Sequence, residues 1–286
     1  MDARVPATAA FEEPKAPAGS LLLFFLATYA IMWVCFGTVA AALSAQAPLG
    51  RALILLGTYS PSFVALSLTL RSQGSDGVRN LLRRVIQGNV APRWYLFAAG
   101  YMIAVKLLVA LVHRLAVGAW PRFGDVSWPL VPLAIAFSTP FQAGEEVGWR
   151  GYAFPRLAQR FGLAGASILL GVIWGLWHLP QFFIRDGGSY GQSFPVFVLT
   201  VIPLSVAIAW LYTRTNGSLL LPMLLHSAVN NTTDFVPAGM SGAENPFTLH
   251  ATPVAWLTVA VLWVFAVWFL TSMARSESRP AQARSV

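Results

Sequence analysis

The sequence predicts an all-α protein, a polytopic bundle of about eight transmembrane helices. Of its 286 residues, 56% are hydrophobic and only 10% are charged, whereas about 25% of the residues in an ordinary soluble domain are charged. A water-soluble fold of this length needs more polar surface than these residues supply, and lipid is the solvent that tolerates such a composition. The 11 Trp residues fit this class, because tryptophan is enriched at membrane interfaces.

Eight apolar segments are the candidate spans. The first, residues 21–43, exceeds the ~7–15 apolar residues of a signal peptide, so we predict an uncleaved span, although residues 45–47 resemble a cleavage site. The seventh is short of the ~20 residues that a helix needs to cross the hydrocarbon, and the fourth is also irregular, because polar residues interrupt both. The second to eighth segments are residues 52–70, 95–117, about 132–155, 163–184, 195–213, 219–232 and 253–274.

The two ends of the chain are predicted to lie outside the bundle. Residues 1–20 are rich in Ala, Pro and charge, a composition typical of disorder. Residues 21–274 form the predicted bundle, and residues 275–286 form a polar tail. With an even number of spans, the N-terminal segment and the C-terminal tail lie on the same side of the membrane.

Basic residues are distributed unevenly between the two sides that eight spans define. With both termini inside, 14 of the 19 Lys and Arg residues lie on the inner side, 4 lie on the outer side, and Lys106 lies within a span. The positive-inside rule therefore predicts that both termini are cytoplasmic, and we expect the membrane to be a bacterial inner membrane. The outer set is Arg51, Arg114, Arg122 and Arg185; the inner set is Arg4, Lys15, Arg71, Arg79, Arg83, Arg84, Arg93, Arg150, Arg156, Arg160, Arg214, Arg275, Arg279 and Arg284.

The net charge of +8 does not indicate nucleic-acid binding. The basic residues lie between apolar runs, where they orient a protein in the membrane, so we predict the lipid bilayer and no nucleic acid as a partner. Residues 77–93 mix basic and apolar side chains, and two interpretations stay open for them. They form either an amphipathic helix on the inner leaflet or a positive loop that only sets topology.

Ionisable side chains within spans are costly, at about 2.5–3.5 kcal/mol each on insertion scales, and are functional candidates by default. The first such group surrounds Glu145 and Glu146. Adjacent residues on a helix point about 100° apart, so the two carboxylates are expected to have different tasks. Glu146 and Arg150 are four residues apart and suit an ion pair, which leaves Glu145 free. Ordinary charges at a helix end are the alternative interpretation.

Two further polar groups lie in the following apolar segments. His178 lies deep in one of them, with Trp174 one turn before it on the same helix face. His226 and Asn230 are four residues apart and also share a face, and both side chains can donate hydrogen bonds to an oxygen. Taken singly, a buried core histidine and an interhelical hydrogen-bonding pair are the structural alternatives.

The three groups together supply a carboxylate base, an imidazole and a pair of oxyanion donors. These are the parts needed to attack a carbonyl group with water. The sequence contains no HExxH zinc motif and no phosphate-binding loop.

The ordered set of Glu145-Glu146-x-x-x-Arg150, Trp174-x-x-x-His178 and His226-x-x-x-Asn230 resembles the CAAX prenyl endopeptidase and bacteriocin-processing family, the CPBP or Abi intramembrane proteases. The likeness covers a core at about residues 130–235. Trp174 stands where that family usually has Phe. The resemblance implies about eight helices around a catalytic cavity. It implies that Glu145 and His178 activate the attacking water, that His226 and Asn230 hold the oxyanion, and that Glu146 and Arg150 form a structural or orienting pair, with Trp174 as a further orienting residue.

The resemblance leaves the cofactor open, because the family is often classed as metalloproteases. Zinc needs about three protein ligands and an open position, and Glu145, His178 and His226 are the candidates. The same residues also function without metal, as a base and hydrogen-bond donors, and we favour that mechanism.

The sequence therefore predicts an intramembrane endopeptidase that cleaves peptides or proteins presented at the membrane, including prenylated or CAAX-like peptides. Two alternatives from other classes remain. One is a non-catalytic immunity or regulatory protein of the membrane, and the other is a proton-coupled transporter that uses the same ionisable residues.

Overall fold

The computed structural model describes residues 18–125, 127–237 and 245–278, and within these ranges the chain is helical with connecting segments and no strand. The predicted all-α class is confirmed. The helices are α1 (Ala18–Ala42), α2 (Pro48–Thr58), α3 (Ser60–Arg83), α4 (Pro92–Val117), α5 (Val131–Ser138), α6 (Ala143–Glu146), α7 (Phe154–Trp177), α8 (Phe194–Arg214), α9 (Leu220–Thr232) and α10 (Pro253–Glu277).

The predicted ends of the bundle shift slightly. Helix α1 begins at Ala18 and α10 runs on to Glu277, so the bundle extends a few residues beyond the predicted 21–274 at each end. The rest of the predicted disordered N-terminus (residues 1–17) and of the predicted tail (residues 279–286) lies outside the described residues.

By length and apolar composition, five helical segments of the described chain are able to cross a membrane, or six if α2 and the helix that follows it count as one bent span. One of the five runs without a gap from Trp128 to Phe183, which is 56 residues and too long for a single crossing. Its backbone breaks at Gly162 (φ 68°, ψ 170°), between the predicted fourth and fifth spans. Helix α9 has only 13 residues. The chain therefore has several membrane-spanning helices, and the count of eight stays a prediction.

The predicted second span is bent rather than straight. Helix α2 and the following helix meet at an angle of 49°, with Tyr59 at the junction. Pro61 lies in the first turn of α3, where a proline ring is tolerated but cannot continue the hydrogen bonding of a preceding helix. The bend brings the start of α3 against the segment that carries Glu145 and Glu146.

Contacts between loops group them at two ends of the bundle. At one end, Asp186 accepts hydrogen bonds from Ser44 and from the Ala45 amide, and Phe194 N–H donates to Pro246. At the other end, Leu219 N–H donates to Arg84, and Leu163 N–H donates to Glu277. The contacting residues of the first end lie in loops that the eight-span topology assigns to the outer side, and those of the second end lie in loops assigned to the inner side.

The segment 77–93 divides into three parts. Helix α3 continues past a kink at Gly74 to Arg83, a 3-10 turn covers Arg84–Ile86, and α4 starts at Pro92. Leu81 is buried while Ile86 is exposed. The first half of the segment is thus a helix with one face packed on the bundle. The contacts of the described residues do not decide whether the segment lies on the inner leaflet or only sets topology.

Candidate active site

Glu145 and Glu146 end the short helix α6 and point to different partners. Glu145 Oε2 accepts a hydrogen bond of 2.7 Å from the indole Nε1–H of Trp174. Glu146 Oε1 accepts one of 2.9 Å from Arg150 Nη1. Both carboxylates are buried, with 8% and 0% of their surface exposed. The expectation that the two adjacent carboxylates diverge is confirmed.

A π-helix follows directly, from Val147 to Ala153, and carries Arg150. Single π-turns inside helices are often found at functional sites. The ion pair between Glu146 and Arg150 forms as predicted, although the spacing argument assumed α-helical geometry. Neither side chain has any exposed surface.

His226 joins this pair. Its Nδ1 lies 2.8 Å from Glu146 Oε1, so one carboxylate oxygen holds both the guanidinium and the imidazole. An ionised carboxylate only accepts hydrogen bonds, and Nδ1 of His226 therefore carries the proton. The sequence analysis paired His226 only with Asn230. It missed the bond to Glu146, because Glu146 and His226 are 80 residues apart in the chain.

His178 lies at the end of α7, where Pro180 prevents the helix from continuing. Its Nδ1 lies 2.7 Å from the backbone carbonyl of Trp174, and a carbonyl accepts, so Nδ1 is the protonated nitrogen. The neutral ring then has its lone pair at Nε2. Trp174 and His178 meet edge to face with their centroids 5.6 Å apart, and Trp174 and His226 meet similarly at 5.2 Å. The predicted aromatic contact of His178 is confirmed.

Asn230 lies at the exposed edge of this cluster. Its Nδ2 donates to Gln142 Oε1 at 3.3 Å, whereas His226 is buried and turned to Glu146. Gln142 is a residue that the sequence analysis missed. Gln142 lies three residues before Glu145, which puts the two side chains on one helix face. This spacing could have identified Gln142 as a site residue from the sequence.

Glycines allow the acidic segment to approach the start of α3 closely. A Cβ on Gly148 would lie 2.5 Å from backbone atoms of Pro61, and one on Gly144 would lie 2.7 Å from the Tyr59 ring. Ser62 also donates a hydrogen bond to the carbonyl of Ala143. The segment that carries Glu145 and Glu146 thus packs closely on the start of α3, and a larger residue at Gly148 would clash with the Pro61 backbone.

Comparisons with known proteins point to a class of protease. Residues 125–232 match the family model described as type II CAAX prenyl endopeptidase Rce1-like. The chain is also similar to CAAX prenyl protease 2 of Methanococcus maripaludis, with 25% identity over 222 residues, which cover 73% of this chain and 82% of that protein. The matched range contains Glu145, His178 and His226.

Over residues 125–232 the chain resembles the type II CAAX prenyl endopeptidases, and it also resembles a CAAX prenyl protease over most of its length. These likenesses support a membrane endopeptidase. The resemblance read from the three motifs is thereby confirmed for the CAAX prenyl proteases, while the Abi branch and the metalloprotease class stay predictions.

A metal at this site would need a convergent set of ligands. Within the described ranges, no three His, Cys, Asp or Glu side chains lie close enough together to hold a metal ion. Hydrogen bonds hold Glu145, His178 and His226 to Trp174 and Glu146 instead. As arranged, the three candidates do not form the three-ligand geometry that a catalytic zinc requires.

Proposed function

We propose that the protein hydrolyses a peptide bond of a membrane-presented peptide with a water molecule activated by Glu145 and His178. One observation carries the proposal. Three motifs from separate parts of the chain meet at one residue, since Trp174 bonds Glu145 through its indole, bonds His178 through its carbonyl and packs against His226.

The first step is proton removal from water. Glu145 has one oxygen held by Trp174, and its other oxygen is available to accept a proton. His178, protonated at Nδ1, offers the lone pair of Nε2 as a second acceptor that orients the same water. As the water oxygen bonds to the scissile carbonyl carbon, its proton passes to Glu145, which acts as general base.

The second step is stabilisation of the resulting oxyanion. Asn230 supplies an amide N–H at the exposed edge. His226 already gives its Nδ1–H to Glu146, so it has an N–H at Nε2 to offer only when doubly protonated. The C–N bond then breaks, and Glu145 returns its proton to the leaving amine.

In this proposal Glu146 and Arg150 do not touch the reacting atoms. They orient His226, whose imidazole needs a fixed direction to act on a developing charge. Their complete burial fits a structural task, because a buried charge is retained only with a partner.

The substrate class proposed is a peptide or protein held at the membrane, with prenylated or CAAX-like C-terminal peptides as the first candidates. The match to a CAAX prenyl protease supports this choice. So does helix α5, which leads to Gln142 and exposes Leu133 and Phe137 by 66% and 73%. Such a surface suits lipid and lipid-modified chains. We place the protein in a bacterial inner membrane with both termini cytoplasmic.

Purified protein assayed with membrane-anchored peptides, with and without a prenyl group, tests the proposed function. Wild type is expected to cleave at least the prenylated set, and Glu145→Ala is expected to cleave none. Glu277→Ala is the matched control, because Glu277 accepts a hydrogen bond from Leu163 at the opposite end of α7 from His178. Absence of cleavage by wild type in all sets, with the peptides still bound, would favour the non-catalytic membrane protein instead.

A further inference from the structure

The side chain of Trp174 makes a contact that phenylalanine, the usual residue of the family motif, cannot make. Its indole Nε1–H donates to Glu145 Oε2 at 2.7 Å, and Trp174 is 96% buried, with 4% of its surface exposed. Trp174 therefore has two separable roles at this site. Its ring packs against His178 and His226, while its N–H fixes a carboxylate.

We propose that Trp174 is a positioning residue that holds the carboxylate of Glu145 in the orientation needed to receive the proton of water. This inference rests on the proposed function, in which Glu145 is the base. A carboxylate accepts through both oxygens and rotates about its last side-chain bond. The bond to Oε2 fixes that rotation and leaves Oε1 for water.

Arg150 is the reason that the carboxylate needs to be held. In the described part of the chain, the buried Nε and Nη2 groups of Arg150 donate to no protein atom, and the Trp174 indole that bonds Glu145 also lies against the Arg150 guanidinium. A released Glu145 carboxylate therefore has a strong alternative partner. An Arg–carboxylate bond would occupy the oxygen that water needs, since such charge-assisted bonds are among the strongest in proteins.

The indole also lies against the guanidinium. The Cζ atom of Arg150 is 4.6 Å from the centroid of the Trp174 ring, within the range of a cation–π contact. The ring thus covers Arg150 on the side that faces Trp174, and the N–H at its edge holds Glu145. Phenylalanine at position 174 keeps an aromatic ring against Arg150 and removes the hydrogen bond to Glu145.

The backbone of Trp174 acts separately. Its carbonyl accepts the Nδ1–H of His178, and this bond does not depend on the side chain at position 174. Substitutions of the indole are therefore expected to affect Glu145 while leaving the tautomer of His178 unchanged.

The test uses two substitutions at position 174 in the full-length purified protein. Trp174→Phe removes the N–H and part of the ring, and replacement with 3-benzothienylalanine removes the N–H and keeps the shape. Both are expected to lower kcat on a membrane-anchored peptide by about 10- to 100-fold, the loss typical of a misplaced catalytic group, with KM changed less than about threefold. The same two substitutions at Trp263, whose indole donates to the Leu199 carbonyl in another part of the bundle, are expected to leave kcat unchanged.

The isostere separates positioning from packing. If Trp174→Phe fails to fold, the benzothienyl protein still decides the question, because it retains the ring contacts. If the benzothienyl protein has the same kcat as wild type, the inference is wrong. The proposed function stands in that case, because the wild-type protein still cleaves the peptide. A wild-type protein that cleaves no peptide would overturn the proposed function and this inference with it.

Discussion

The imidazole Nδ1 of His226 lies 2.8 Å from the carboxylate Oε1 of Glu146. This bond connects α9 to the acidic segment and makes Glu146 the common partner of His226 and Arg150. A residue expected only to pair with Arg150 thus also determines which nitrogen of His226 faces the site. The pair and the imidazole form one buried unit, and substitutions within it are expected to affect folding as well as activity.

The first prediction concerns that unit. Glu146→Gln removes the charge that both Arg150 and His226 face, and leaves a buried guanidinium without its anion, which costs about 3–5 kcal/mol. The yield of folded protein and the activity are both expected to fall, as measured by size-exclusion profile in detergent and by peptide cleavage. Arg150→Ala is expected to behave likewise.

A surface pair provides the control for that prediction. Arg79 and Asp76 form an ion pair with 77% and 80% of their side chains exposed, and such pairs contribute about 0–1 kcal/mol. Asp76→Asn is expected to leave folding and activity unchanged. If Glu146→Gln and Arg150→Ala stay fully folded and lose all activity, the pair takes part in the chemistry and its structural assignment is wrong.

The second prediction concerns the close approach at Gly148. A methyl group there would lie 2.5 Å from the Pro61 backbone, so Gly148→Ala is expected to destabilise the protein by about 1–3 kcal/mol, as overpacking does. Gly100→Ala is the control, because nothing lies within 4 Å of a Cβ at that helical position, and alanine there is expected to stabilise α4 by about 0.5–1 kcal/mol. Thermal unfolding in detergent measures both, and equal melting temperatures for the two variants would contradict this packing.

The third prediction concerns the loop contact at Asp186. The hydroxyl of Ser44 and the amide of Ala45 donate to its carboxylate and hold the pKa of Asp186 below its ordinary value. A depressed pKa stabilises the fold while the carboxylate is charged, and this contribution is lost as pH falls through the depressed value. Asp186→Asn is therefore expected to melt below wild type at pH 7, and the difference is expected to shrink below about pH 4.

Ser44→Ala checks the cause of that effect, because it removes the largest contribution to the shift. It is expected to lower the melting temperature at pH 7 in the same direction, and to have little further effect in the Asp186→Asn protein. A pH-independent difference between wild type and Asp186→Asn would show that the contact does not depend on the charge.

The fourth prediction concerns topology. With basic residues concentrated on one side, both termini are expected to be cytoplasmic. A reporter fused after Val286 is expected to report the cytoplasm, and one inserted between Gly187 and Gly188 is expected to report the outer side. A C-terminus on the outer side would overturn the arrangement of eight spans.

Contacts between residues close in sequence were predictable from the chain alone. The pair of Glu146 and Arg150 follows from a spacing of four, and the contact of Trp174 with His178 follows from the same spacing. The divergence of Glu145 from Glu146 follows from the angle between adjacent helix positions. Composition and hydropathy were sufficient for the all-helical membrane class.

Contacts that depend on how helices pack were not predictable. The bond of His226 to Glu146 joins residues 80 positions apart, and nothing in either motif indicates the other. The π-helix at 147–153 and the close approach of Gly148 to Pro61 within it were not indicated by any residue spacing. The bond of Asn230 to Gln142 was missed for the same reason, although Asn230 itself was identified from its spacing to His226.

The most direct test of the account compares Glu145→Gln with wild type in turnover and in binding of the same membrane-anchored peptide. Glutamine fills the same space but cannot take the proton of water, so turnover is expected to fall by about 10²–10⁴-fold while the dissociation constant stays within about threefold of wild type. Glu277→Gln serves as the control and is expected to retain full turnover. Wild-type turnover in Glu145→Gln would contradict the assignment of Glu145 as the base, and the non-catalytic alternative would then explain the site better.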